Sequence, residues 1–184
     1  GDPEGFKESG WFDNDDFWWN CNATDWAYTA EWASAPEDHP MYTPVHRYAR
    51  NIIVSLNHWM TGWVDWNIVL DRRGGPNHVG NFCGAPIMID TETQYVYYTP
   101  IYHVLAQFSR TIRPGDQAVW TERTLRGLDS DALHTCATIN DAGILSVQVL
   151  NTTKAPIDYT LRIGEDRAKM TIPANAVQTV RVQL

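Results

Sequence analysis

Nine tryptophans occur in this 184-residue sequence, and eight of them fall between Trp11 and Trp66. An indole is costly to place unless its face is buried or stacked and its N–H is satisfied. Core packing accounts for most of them. Their concentration in the first third also suits a wall or cleft for flat ligands, and sugar rings are the commonest of these. Trp66 lies in Gly62-Trp63-Val64-Asp65-Trp66-Asn67. An indole there could stack on a pyranose face and aim its N–H at a hydroxyl. A loop amide such as that of Asn81 could donate to one hydroxyl and accept from another. Each has a plainer alternative, a core tryptophan for Trp66 and a turn former for Asn81. Alternation along an extended segment puts Asp65 on the face opposite Trp66, which suits structural hydrogen bonding better than catalysis.

Other chemistry is sparse. The acidic stretch Phe12-Asp13-Asn14-Asp15-Asp16-Phe17-Trp18-Trp19 reads as a solvated loop or helix start, and its spacing is not that of a calcium-binding EF-hand loop. Cys21, Cys83 and Cys136 form no CxxC and no Cys/His cluster, which argues against zinc. Being three, they cannot all pair within the chain; buried free thiols or a bond to another fragment are the alternatives. Asn22-Ala23-Thr24 and Asn151-Thr152-Thr153 match the N-glycosylation sequon, a pattern that also arises by chance. A net charge of −8 with only 14 scattered Lys and Arg excludes an ordinary nucleic-acid partner. No apolar run reaches the roughly 20 residues of a transmembrane helix. Gly1 in place of Met suggests a processed or trimmed start.

The elements that must position these residues are readable in part. Residues 1–42 are irregular and aromatic, with a short helix expected over Ala23–Ala33. Thr43 can cap a helix whose first position is Pro44. Val45, Tyr48, Ile52, Leu56 and Trp59 then recur at helical spacing until Gly62. Trp63–Leu70 is β-branched and aromatic, a mostly buried strand, and residues 71–86 form a long Gly/Pro/Asn-rich loop of the kind that carries function. Ile87–Ile89 and Tyr95–Tyr98 read as a hairpin. A helix from Thr99-Pro100 follows, with Ile101, Val104, Leu105, Phe108 and Ile112 on one face and an end before Pro114-Gly115. Beyond Gln117 the period becomes two: strands are expected over Val119–Arg123, Ala132–Thr138, Leu145–Asn151, Ile157–Ile163, Ala168–Ile172 and Val177–Leu184. Asn140-Asp141-Ala142-Gly143 is a hairpin turn, and the whole suggests an antiparallel sandwich. The expected domains are therefore 1–113, helix and strand, and 114–184, all β. Helix, strand, loop and helix over residues 44–112 make the βα-type pattern of a doubly wound sheet or barrel. One core strand and two helices cannot close a barrel of eight, so on that pattern most of the sheet is expected outside this chain.

In order, Tyr48-Ala49-Arg50-Asn51-Ile52-Ile53, Gly62-Trp63-Val64-Asp65-Trp66-Asn67, Gly74-Gly75-Pro76-Asn77, Asn81-Phe82, Ala85-Pro86-Ile87 and Phe108-Ser109-Arg110-Thr111-Ile112-Arg113-Pro114-Gly115 resemble the last third of glycoside hydrolase family 30, the glucosylceramidase type. The resemblance covers residues 22–116, and the later strands agree in kind with that family's appended β-domain. It implies the C-terminal portion of a (β/α)8 TIM barrel, with Gly62–Leu70 as strand eight and Pro100–Ile112 as helix eight, followed by a β-sandwich. Active sites of such barrels sit at the C-terminal ends of the strands. By the same resemblance, Trp66 and Asn81 contact the sugar in the glycone subsite, and Trp63, Asp65 and Phe82 shape the pocket.

A retaining glycosidase needs two carboxyl groups about 5–5.5 Å apart, and no metal or organic cofactor. In the family, the acid/base stands in an Asn-Glu pair, which this sequence lacks. The nucleophile stands in a Thr/Ser-Glu-Ala/Gly setting. Glu4, in Pro3-Glu4-Gly5, is the sole candidate for it, and it has no apolar strand before it. The resemblance thus implies that the catalytic glutamates reside on a partner, an N-terminal chain or fragment with barrel strands one to seven. The implied substrate is a β-glycoside, and the implied location is secreted, periplasmic or lysosomal. A non-catalytic carbohydrate-binding protein of the same fold is the first alternative, and a purely structural β-domain fragment the second.

Overall fold

Helix α1 spans Tyr42–Asn57 in the computed structural model, which describes residues 42–71, 74–76 and 84–184. Glu4, the Phe12–Trp19 stretch, the Ala23–Ala33 helix, Asn81, Phe82, Cys21, Cys83 and the Asn22 sequon lie outside the described residues. Val45, Ala49, Ile52 and Ile53 are buried and draw one apolar stripe along the helix. The helix stops at Asn57, short of the expected Gly62. The N–H of Trp59 reaches the carbonyl of Leu56 at 3.2 Å, and that of Met60 reaches Ser55 at 3.0 Å. These crossed bonds make a Schellman cap, which needs one left-handed residue, usually glycine. Here it is Trp59, at φ 67°. Instead of extending the apolar stripe, Trp59 is turned outward and 76% exposed.

The chain divides into two units, one holding residues up to Tyr48 with 64–106, the other holding 49–63 with 107–184. In the first, β1 (Val69–Asp71) pairs in parallel with β2 (Ile87–Asp90), and β2 pairs antiparallel with β3 (Tyr95–Tyr98). The buried Asp90 carboxylate accepts the N–H groups of Glu92 and Thr93 at 2.9 and 3.3 Å, closing the hairpin turn. The expected strand over Trp63–Leu70 contracts to its end. Its ladder starts where the Ile68 carbonyl accepts the Ile87 N–H at 3.0 Å. Propensity alone does not make a strand, and no described residue forms a ladder with residues 62–67.

Helix α2 (Pro100–Thr111) buries Ile101, Val104 and Phe108. Just before it, the buried Thr99 hydroxyl sits 2.9 and 3.0 Å from the carbonyl oxygens of Ala85 and Pro86, tying the helix start to the base of the hairpin.

In the second unit the strands are β4 (Gln117–Val119), β5 (Leu133–Ile139), β6 (Ile144–Asn151), β7 (Ile157–Ile163), β8 (Asp166–Ile172) and β9 (Val177–Gln183). One antiparallel sheet runs β4-β5-β6-β9, and β7-β8 makes a second. Leu133, Ala137, Leu145, Val147 and Val149 meet Ile157 and Ile172 between the sheets. The first strand is displaced from the expected Val119–Arg123, because pairing with β5 ends at Val119 opposite Ala137. At the β5–β6 turn the Asn140 side chain accepts the N–H groups of Ala142 and Ile144 at 3.0 and 2.9 Å. Gly143 follows at φ 74°, and a Cβ there would come 3.2 Å from the Gln183 side-chain nitrogen. The left-handed φ is what favours glycine, since the Gln183 side chain can give way.

Strand β6 is covered on both faces. Opposite its apolar side, the fully buried Gln148 donates to the Thr111 hydroxyl at 2.6 Å. The Thr179 hydroxyl lies 2.6 Å from the carbonyl oxygens of both the Gln148 and Gln107 side chains, and Gln107 donates to the Val177 carbonyl at 2.9 Å. An unpaired buried amide costs on the order of 1–3 kcal/mol, and this network removes that cost. The sequon at Asn151 is structural. Its amide nitrogen is buried and donates to the carbonyls of Ala155 and Pro173, both at 2.8 Å, so it is not available to a glycan. Cys136 is a buried free thiol that burial pushes up to about 12, so it stays protonated and poorly nucleophilic.

Candidate functional site

Between the cap of α1 and the first ladder bond of β1, exposure alternates residue by residue. Trp63, Asp65 and Asn67 are half-buried, whereas Val64 is 91% and Trp66 71% exposed. The period of two is that of an extended chain with one side held and one side open.

Hydrogen bonds to α1 account for the held side. The Tyr48 hydroxyl donates to the Asp65 carboxylate, 3.0 Å from Oδ1 and 3.2 Å from Oδ2. The Trp63 indole N–H donates to the Asn51 side-chain oxygen at 2.7 Å. Bonds to an ionised carboxylate are about twice as strong as neutral ones, and Asp65 directly precedes Trp66. The side chains of Trp63 and Asp65 are thus directed to the helix. Trp66 is left with its ring free on the other side.

The C-terminal end of β1 is a tight turn. The Asp71 carboxylate accepts the Gly75 N–H at 2.9 Å, the Gly74 N–H reaches the Asp71 carbonyl at 2.8 Å, and Gly74 sits at φ 82°. Asn81 and Phe82, the other residues expected at the site, lie outside the described residues. Among the described residues, no group of three or more His, Cys, Asp or Glu could hold a metal ion. What the described part can do chemically is present an aromatic face on a segment tied to α1, with no carboxylate on the open side of residues 63–67.

Sequence reasoning counted Tyr48 as one of the apolar stripe and did not give Asn51 a role. A signal existed for Tyr48, since a tyrosine in an apolar stripe needs a partner for its hydroxyl. For Asn51 the sequence offered none, because the accepting and donating groups lie on different elements.

Two family models match this chain: the glycosyl hydrolase family 30 TIM-barrel domain over residues 28–112, and the glycosyl hydrolase family 30 beta sandwich domain over residues 123–180. The chain belongs to glycosyl hydrolase family 30. Its fold is therefore part of the family 30 barrel followed by the family 30 sandwich. The lysosomal acid glucosylceramidase of Mus musculus is 36% identical over 115 residues, which is 62% of this chain and 22% of that protein. The chain spans less than a third of the length of the curated relatives it matches. Among solved structures, SrfJ from Salmonella typhimurium superposes with a TM-score of 0.69 at 24% identity, over 83% of this chain and 32% of SrfJ. The endo-beta1,6-glucanase BT3312 gives 0.68 at 19% identity, over 77% and 32%. At these identities the two structures speak for the family 30 fold alone.

Proposed function

We propose that this chain forms one wall of the glycone subsite of a retaining β-glycosidase acting on β-glucosides, as a glucosylceramidase does. Trp66 supplies the stacking face, and Asn81 supplies an amide to the sugar hydroxyls, with Phe82 beside it. The chemistry belongs to the portion of the barrel with strands one to seven, which brings the acid/base glutamate and the nucleophile, with Glu4 the one weak candidate for the nucleophile in this chain. The domain boundary follows at 113/114. The location is secreted, periplasmic or lysosomal, and among the described residues no helix is long and apolar enough to cross a membrane.

One observation carries the reading: within the Asp65-Trp66-Asn67 motif, Asp65 is bonded to α1 while Trp66 stands 71% exposed just before β1. A tryptophan left open on a held backbone is suited to stack on a sugar. The test is hydrolysis of a chromogenic β-glucoside by the full-length assembly. Trp66→Ala is expected to lower kcat/KM by about 30-fold or more, the loss of one large stacking contact at the transition state. Retention is read from the anomer first formed, by NMR. Sugar binding without turnover would replace this reading with a carbohydrate-binding protein, and no binding at all would leave a structural role.

A further inference from the structure

We infer that Tyr48 is a positioning residue for the sugar site, acting through Asp65 on Trp66; this rests on the glycone reading of Trp66 above. Tyr48 lies on α1. Its hydroxyl donates to the Asp65 carboxylate at 3.0 and 3.2 Å, 17 residues away in sequence. Asp65 is the residue before Trp66, and side chains of an extended segment alternate. Holding Asp65 against the helix therefore fixes which way Trp66 points.

The need for such a hold is visible in the backbone. Residues 62–67 make no ladder with any described residue, and the Tyr48–Asp65 and Asn51–Trp63 side-chain bonds tie this segment to α1. Asp65 itself is placed away from the open side, which makes its carboxylate an anchor and not a sugar ligand. The hydroxyl of Tyr48 is what distinguishes this role from packing, because phenylalanine would fill the same volume.

The experiment is a double-mutant cycle in the full-length assembly, read as kcat/KM on an aryl β-glucoside, with melting temperature as the check on folding. Tyr48→Phe is expected to lower kcat/KM about tenfold, since small misplacement of a contact group is costly. In a Trp66→Ala background the same substitution should change kcat/KM by less than about twofold, because no stacking face is left to be positioned. An equal loss in both backgrounds, or no loss in either, would overturn the proposal. Asp65→Asn keeps an oxygen to accept the hydroxyl and should lose less than Tyr48→Phe does. A larger loss would give Asp65 a role of its own and also overturn the proposal. If Trp66→Ala leaves kcat/KM unchanged, the glycone assignment fails and this inference with it. An unaltered Trp66→Ala is thus told apart from a background-independent Tyr48→Phe, which sinks only the positioning role.

Discussion

His134, on β5, shows how one residue joins burial, charge and pH. Its Nε2 lies 3.0 Å from an Asp131 carboxylate oxygen and 3.1 Å from the Asp131 carbonyl, and Arg50 bonds the other oxygen of that carboxylate at 2.9 Å. Burial lowers its pKa below the usual histidine value. The Asp131 carboxylate opposes that shift, while Arg123 and Arg50 add to it. Burial prevails over the ion pair because Asp131 is itself largely exposed and screened by solvent. The unfolded histidine, near 6.5, then binds a proton more readily than the folded one. Folding stability from this group is complete above about pH 6.5 and is lost as pH falls through the lower, folded value. Melting temperature followed from pH 7.5 down to 4.5 should fall less steeply in His134→Gln than in the natural sequence. The other histidines cancel in that difference. Parallel curves would show that His134 titrates alike in both states.

At the scale of elements, the strands of the sandwich were legible because alternating apolar residues and turn chemistry agree there. Ile157–Ile163 was expected and found with identical bounds, and Asn140 to Gly143 forms the turn that its residues specify. Elements that depend on a distant partner were not legible. The strand around Trp63–Leu70 has the right residues, but a ladder only from Val69, where β2 is its neighbour. Likewise the site was half visible. The Asp65-Trp66-Asn67 motif announced itself, whereas the Tyr48 and Asn51 bonds depend on how α1 lies against the segment. The end of α1 misled for a different reason. Gly62 is the expected stop, yet the cap closes around Trp59 in a left-handed conformation that costs a bulky residue about 1–2 kcal/mol. The Trp59 side chain is 76% exposed, so little burial offsets that strain. Trp59→Gly should therefore raise folding stability by about 0.5–1 kcal/mol, after glycine's larger unfolded-state entropy is subtracted. A urea midpoint reads it directly. A loss of stability would mean that the indole makes a contact in the complete assembly.

For the whole molecule, the decisive fact is how β1 meets its surroundings. The segment leading into it exposes Val64, Trp66 and Ile68, with Val69 partly open. Among these, Trp66 is the residue that the proposed function gives a reason to face a sugar. Among the described residues β1 pairs with β2 alone, and an open apolar edge invites pairing with another chain. In a family 30 barrel the natural cover for strand eight is its two neighbouring strands, and the chain spans less than a third of the length of its curated relatives. The 184 residues expressed by themselves should accordingly self-associate, with a mass by light scattering above the 21.0 kDa of one chain. Supplying the preceding barrel portion should convert that material to a defined assembly and raise its melting temperature, since a partner that binds only the folded state stabilises it by mass action. Replacing Val64 and Ile68 with threonine separates this cause from others. If the open edge drives self-association, the double substitution reduces it without lowering the melting temperature of the sandwich. If the 184 residues stay monomeric with Val64 and Ile68 intact, the edge is already covered by this chain, and the partner proposed above is not needed for folding.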